Sequence, residues 1–403
     1  MTMTMNAANG QDVSVSMLAQ LLAMGESLHG TALSIYVQNY PQCFWKEPIA
    51  SGDEIIAGIQ NSHYSDVLGL QSLRKELAAR DAARRFQSFL SIDNIAVTQG
   101  GTHAIQILLQ TFGGPDADVL IPVPSYSGYR DICQALKLRY RPYGMDDSGT
   151  WLTEELLASL RRSSIVIINT PHNPSGSQIE TGQLRRLVEE ARKSEAIVIF
   201  DCVYDELVYE GKAPEWNSVL KTDADLSSCI FINSFSKNYG LPGVRLGWIT
   251  ASAATIKRLE PMIESSILCL PDFIQRWASV AVRRVAGALT QEMRARRDYL
   301  CAQLAGVAGL EFKRPPAGIT MMARLRSGSG MDLVQRLLKS NAALFLPGSA
   351  YYGGDPATIR LCFGYPRSEI DKYVSVLASV LGRRLQVRSG SRVAAQRRPF
   401  ASA

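Results

Sequence analysis

The sequence predicts an α/β protein: a mostly parallel sheet of seven strands covered by helices, joined to a smaller α+β unit. Three observations carry this. Between about residues 90 and 250, short β-branched apolar runs recur without polar alternation, as strands buried on both faces require. Amphipathic stretches with helical spacing separate the runs, and alternating strand and helix builds a parallel sheet. After Ser279 that alternation gives way to longer helical patterns with isolated strand-like pieces.

The runs fall at 95–98, 118–122, 138–142 (the weakest), 165–169, 197–201, 230–234 and 246–250. Beyond Gly101, the side chains of Ile105, Leu108, Leu109 and Phe112 share one helical face, and 183–193 reads as a second helix with a charged outer side. One long helix is expected from 274 to about 305, bridging the two units. Strands at 319–325, 343–347 and 359–363, with helices at 331–339 and 369–381, complete the smaller unit.

At 403 residues the chain exceeds one ordinary core. We expect an N-terminal arm at 1–60 that joins the smaller unit, a large unit at 61–285, the smaller unit at 286–385, and a mobile basic tail at 386–403. No internal repeat is visible.

Hydrophobic residues make up 46% and charged residues 20%, a balance that folds rather than stays disordered. No apolar run approaches the roughly 18 residues of a membrane helix. Residues 1–11 lack the basic region and apolar core of a signal peptide and read as a ragged terminus. The seven cysteines are scattered without C-x-x-C pairs, and the four histidines show no ligand spacing. Neither a disulfide framework nor a metal site is expected, and a cytoplasmic setting is.

The net charge of +6 invites a nucleic-acid reading, but six arginines and no acid lie between Leu381 and Ala403. That tail holds the whole excess and leaves the body formally neutral. A solvated tail, with no nucleic-acid partner, is the expectation.

Ligands of open α/β sheets bind beyond the carboxyl ends of the strands. Here Gly100 and Gly101 follow one strand, and Pro124-Ser125-Tyr126 the next. Asn173 follows a third, Asp201 closes a fourth, and Ser234 to Lys237 close a fifth. The chemically capable groups therefore converge on one edge.

Those residues carry a resemblance. Asn169-Thr170-Pro171-His172-Asn173-Pro174-Ser175-Gly176 resembles the N-P-x-N-P-T-G signature of pyridoxal-phosphate-dependent aminotransferases related to aspartate aminotransferase, the class I/II enzymes of fold type I. Asp201-Cys202-Val203-Tyr204 is similar to their D-x-x-Y element, and Ser234-Phe235-Ser236-Lys237 with Gly240 and Arg245-Leu246-Gly247 to their S-x-S-K block. Tyr64, Gly69 and Leu73-Arg74 resemble the entry motif, and Arg360-Leu361-Cys362-Phe363 the late arginine element. Five motifs in order across residues 60–380 make the resemblance specific.

The resemblance implies a role for each residue. Lys237 would bind pyridoxal 5'-phosphate as a Schiff base and, once freed by substrate, shuttle the proton. Asp201 would hold the pyridinium nitrogen protonated, and Tyr204 and Asn173 would hydrogen-bond the phenolate oxygen. Gly100, Gly101 and Thr102, opening a helix, would cradle the phosphate together with Ser234, Ser236 and Arg245. Tyr126 would stack on the ring; its sequence alone equally allows core packing. Arg360, helped by Asn173, would clamp the substrate carboxylate. Tyr64 would reach the phosphate of a neighbouring subunit, which implies a homodimer, although in isolation it reads equally as a core tyrosine.

The implied activity is transfer of an amino group between an L-amino acid and a 2-oxo acid. A lyase, cyclase or oxidase shares every residue assigned so far, and a non-catalytic cofactor-binding regulator would want a DNA-binding helix-turn-helix that residues 1–60 do not offer. No G-x-G-x-x-G follows a strand and no G-x-S-x-G elbow occurs, which excludes a dinucleotide dehydrogenase and a serine hydrolase of that type. The segments 28–49 and 317–322 depart most from the family pattern. Side-chain recognition is expected there, so the substrate stays open.

Overall fold

The computed structural model describes residues 63–86, 90–145, 151–221, 223, 226–339 and 345–382, with short pieces at 4–5, 13–14 and 53. The expected N-terminal arm, apart from those pieces, and the basic tail lie outside the described residues.

The large unit is built on a seven-stranded sheet. Its strands are β1 (Ile95–Thr98), β2 (Asp118–Val123), β3 (Arg139–Gly144), β4 (Ser164–Asn169), β5 (Ile197–Asp201), β6 (Cys229–Ser234) and β7 (Gly247–Thr250). They lie in the order β1-β7-β6-β5-β4-β2-β3. All pairings among β2 to β6 are parallel; β7 alone runs antiparallel, to both β6 and β1.

Successive residues of these strands feed two different cores, because side chains alternate across a sheet. Leu120, Val166, Ile168, Val198, Phe200 and Phe231 point to one side, where α1 (Gln71–Asp81), α4 (Thr181–Ser194) and α7 (Asp272–Val285) pack. Val119, Ile121, Ile165, Ile167, Ile199 and Ile232 point to the other, against α2 (Gly100–Phe112), α3 (Ser127–Ala135) and α6 (Ala253–Ile267). Apolar faces on both sides explain the unbroken hydrophobic runs. Helix α4 shows the complementary pattern: Leu184, Leu187, Val188 and Ala191 are buried at i, i+3, i+4 and i+7. It stops at Glu195, whose φ of 55° is left-handed.

The smaller unit has α8 (Thr290–Leu304), α9 (Gly330–Lys339), α10 (Arg367–Leu381) and a four-stranded antiparallel sheet. The strands β8 (Leu310–Phe312), β9 (Thr320–Leu325), β10 (Leu346–Pro347) and β11 (Thr358–Cys362) lie in the order β8-β9-β11-β10. The core of this unit also takes in Tyr204, Leu207 and Tyr209 from the loop after β5. Segment 315–318 is tied to that loop: Tyr209 N–H donates to the Pro316 carbonyl at 2.8 Å, and its hydroxyl to the Gly318 carbonyl at 2.6 Å.

One expectation is corrected. The single helix from 274 to about 305 is two helices, α7 and α8, broken at Gly287, whose φ is 74°. The Glu206 carboxylate accepts the Gly287 N–H, and the Thr290 hydroxyl donates to the Glu206 carbonyl at 2.8 Å. A tertiary partner thus satisfies backbone that a continuous helix would have used.

Around the carboxyl ends of β5 and β6 lies a buried ionic cluster. Asp81, fully buried, accepts from Arg80 at 2.6 Å and Arg85 at 3.0 Å through Oδ1, and from Trp248 at 3.0 Å and Thr250 at 2.5 Å through Oδ2. Arg80 and Arg85 also reach Asp205, which accepts from the amides of Asn238 at 2.6 Å and Asn233 at 3.1 Å. Asn238 is the neighbour of Lys237, so the cluster fixes the turn that carries the lysine.

Candidate active site

Six strands point their carboxyl ends to one edge, and β7, running the other way, presents its amino end there. Six of those strand ends carry site residues. Gly100, Gly101 and Thr102 open α2 directly after β1. A Cβ on Gly100 would stand 2.9 Å from Arg245 Nη2, while one on Gly101 would meet ordinary contacts, 3.9 Å from the Ser234 Cβ. Gly247, opening β7, has no room for a Cβ, which would meet the Gly100 carbonyl carbon at 2.8 Å. The absent side chains of Gly100 and Gly247 therefore let the helix start, β7 and Arg245 converge.

Ser234 caps the short helix α5 (Phe235–Asn238), its Oγ accepting the Ser236 N–H at 3.1 Å. Arg245 donates to the Ser236 hydroxyl at 3.5 Å and to the Pro242 carbonyl at 3.0 Å. Helix-start N–H groups, a hydroxyl and a guanidinium thus lie close together, a donor set suited to an oxyanion. Thr102 Oγ1 lies 3.4 Å from the Tyr126 hydroxyl, which brings the second strand end to the same place.

Asp201 closes β5 and is buried. The Tyr129 hydroxyl donates to its Oδ2 at 2.5 Å and the Val203 N–H to Oδ1 at 3.3 Å. Burial raises the Asp201 pKa despite these donors. Tyr204, also buried, stands close enough to Tyr129 to oppose its ionisation. Asn169, at the end of β4, donates to the Asp201 carbonyl at 3.1 Å and accepts the Asn173 N–H at 2.7 Å. The loop bearing Asn173 is thereby pinned to the strand bearing Asp201.

Arg360 arrives from β11 of the smaller unit and donates to Asn173 Oδ1 at 3.4 Å. It is buried, with its guanidinium 5.5 Å above the Tyr351 ring. Lys237, half-buried, stands among Asp201, Arg245, Arg360 and Cys362. Burial, with the two guanidiniums adding to it, pushes its amine down to about 7. An amine so placed is about half neutral at pH 7, against almost none for an ordinary lysine, and that neutral fraction is competent as a nucleophile or base.

Of the residues singled out in the sequence, Gly100, Gly101, Thr102, Tyr126, Asn173, Asp201, Tyr204, Ser234, Ser236, Lys237, Arg245 and Arg360 gather at this edge. Tyr64 does not: it is 84% exposed, on a segment held to the α6–α7 connection by the Ser65 hydroxyl, which donates to the Leu270 carbonyl at 2.7 Å. Sequence reasoning missed Tyr129 and Asn169. Asn169 had a signal, as a polar residue ending an apolar run, whereas Tyr129 reads as core. Among the described residues, no group of three or more His, Cys, Asp or Glu is placed to hold a metal ion, and no helix is long and apolar enough to cross a membrane.

Residues 37–377 match the family described as aminotransferase class I and II. The chain is 30% identical to the arginine–pyruvate transaminase of Pseudomonas aeruginosa over 320 residues, covering 77% of this chain and 80% of that protein. It is 26% identical to an L-aspartate:5-guanidino-3-methyl-2-oxopentanoate transaminase of Pseudomonas syringae pv. syringae, covering 89% and 92%. Among solved structures, an aspartate aminotransferase from Thermotoga maritima shares the fold with a TM-score of 0.82 at 22% identity, over 92% of this chain and 98% of that one.

Proposed function

This chain belongs to the aminotransferase class I and II family and is a pyridoxal-phosphate-dependent transferase of amino groups; we propose that Lys237 is its reactive amine and that an L-amino acid and a 2-oxo acid exchange the group here. The observation that carries this reading is the Lys237 amine, pushed down to about 7 among Asp201, Arg245 and Arg360 at the sheet edge. When bound, pyridoxal phosphate supplies an aldehyde that accepts the amino group and a ring that draws electrons from Cα.

The donor set fits that cofactor. The cradle of Gly100, Gly101, Thr102, Ser234, Ser236 and Arg245 suits its phosphate; a Cβ at Gly100 would lie 2.9 Å from Arg245. Asp201, oriented by Tyr129, would keep a proton on the ring nitrogen, and its burial strengthens that pairing. Tyr204 and Asn173 would donate to the ring oxygen, and Tyr126 would cover one ring face. Arg360 would take the substrate carboxylate bidentately, with Asn173 at its side. Lys237 Nζ, released by the incoming amine, would take the proton from Cα and return it on the cofactor side. An amine near 7 is matched to both transfers.

We further propose a cytoplasmic homodimer. Tyr64 is 84% exposed, and Leu268 and Phe273, which flank the Leu270 anchor of its segment, are large exposed apolar residues as well. The six described cysteines are all free, which suits a reducing compartment.

The test is a single turnover with no oxo acid present. L-arginine and L-aspartate come first, since relatives carry those names. A transferase stops after one equivalent of oxo acid per site and leaves the cofactor aminated. Continued release of ammonia, uptake of oxygen or a cyclised product would instead assign a lyase, oxidase or cyclase.

A further inference from the structure

Tyr351 is buried, with 6% of its surface exposed, in the segment that follows β10. Its ring lies under the Arg360 guanidinium at 5.5 Å, an attraction that holds both groups in place. Its hydroxyl has no hydrogen-bond partner among the described residues. Burial raises that hydroxyl's pKa, so it remains a donor at any ordinary pH. Arg360 and Cys362 both act on it electrostatically, and both also act on Lys237. The orphan donor therefore sits on the ring packed against Arg360, which also bears on the reactive lysine.

A second orphan lies on the segment that pairs with the next residue, Tyr352. Ser125 donates its N–H to the Tyr352 carbonyl at 3.3 Å, and its fully buried Oγ lacks a partner as well. Buried hydroxyls are almost always bonded, and phenylalanine would fill the Tyr351 position without leaving a donor unmet. What the hydroxyl lacks is an acceptor, and the neighbouring guanidinium is a group that brings one.

We propose that the Tyr351 hydroxyl is a second donor to the substrate carboxylate held by Arg360, and so a binding residue for amino acid and oxo acid alike. The assignment rests on the reading of Arg360 as the carboxylate grip. Because the carboxylate is present before and after transfer, Tyr351 contributes to holding substrate rather than to the chemical step.

The experiment compares wild type, Tyr351→Phe and Arg360→Gln as cofactor-loaded enzymes, with propionate as an unreactive carboxylate probe. Calorimetry gives its dissociation constant, and thermal unfolding without propionate gives stability. Tyr351→Phe is expected to weaken propionate about tenfold, the effect of losing one hydrogen bond to a charged group. It is expected to raise KM for both substrates similarly while kcat holds. Its unfolding midpoint should stay level or rise, since no internal bond is lost. Unchanged propionate affinity in Tyr351→Phe, or a clearly lowered midpoint, overturns the proposal. If Arg360→Gln also binds propionate like wild type, the parent reading of Arg360 fails; if it alone loses propionate, only the Tyr351 assignment fails.

Discussion

Replacing Asp81 by asparagine keeps the shape of that side chain and removes its charge. The carboxylate uses one oxygen for Arg80 and Arg85 and the other for Trp248 and Thr250. An amide has only one acceptor oxygen. Turned with its nitrogen towards the guanidiniums, it would oppose two cations. Turned the other way, it strands the Trp248 N–H, while the Thr250 hydroxyl can reverse. The second orientation is cheaper, and it still leaves one buried donor unmet, at about 1–3 kcal/mol. The two guanidinium bonds lose their charge assistance, at about 1 kcal/mol each. Together this gives about 3–5 kcal/mol, the range for breaking a buried ion pair.

Urea unfolding followed by tryptophan fluorescence at neutral pH measures it. Asp131→Asn, at a partly exposed pair with Arg130, serves as the control and should cost less than about 1 kcal/mol. There is also a pH signature. Burial disfavours the ionised Asp81, yet Arg85 and Arg80 outweigh it and hold the carboxyl below its usual range. Its contribution is therefore complete above about pH 4 and is lost as pH falls through the lower folded-state value. The variant should show flatter stability across that acid window. A loss within about 1 kcal/mol of wild type would refute the account of the cluster.

Borohydride reduction of the loaded enzyme should leave cofactor mass on the peptide containing Lys237; mass on another lysine would remove that residue from its role. Asp201→Asn should retain cofactor but lose about 10²-fold or more in turnover, because a preorganised charge opposite the ring is gone, and near-normal turnover would count against it. With the Lys237 amine near 7, capture of pyridoxal phosphate by apoprotein should speed up as pH rises through about 7, where the ammonium loses its proton; a rate flat from pH 6 to 8 would contradict the burial argument. Sedimentation should find a dimer, and Tyr64→Ala should weaken phosphate-dependent cofactor retention, whereas an active monomer would sink the interface reading.

The strands were legible because burial on both faces leaves a continuous apolar run that local sequence cannot hide. The bounds of β1 and β5 coincide with the runs at 95–98 and 197–201. The break between α7 and α8 was not, since helical apolar spacing continues through it and the deciding partner, Glu206, lies 81 residues away. Asp81 and Arg85 show the same limit: at i, i+4 they read as a surface pair, and only Trp248, 167 residues on, reveals them as buried. Most of the candidate site was legible because its residues follow strand ends in motifs. Tyr129 and Tyr351 were not, because nothing local separates a buried tyrosine that packs from one whose hydroxyl serves a site.

Asp201 ends a strand of the large sheet, while Tyr204, three residues later, is packed in the core of the smaller unit. The backbone on either side of that ring is held from the large unit: the Val203 N–H by Asp201, Asp205 by Arg80 and Arg85, and the Glu206 N–H by Asn238. One short turn therefore lends its main chain to one unit and its ring to the other. Tyr204 is a rivet between them, and a repacking of the smaller core cannot leave the wall of the pocket untouched.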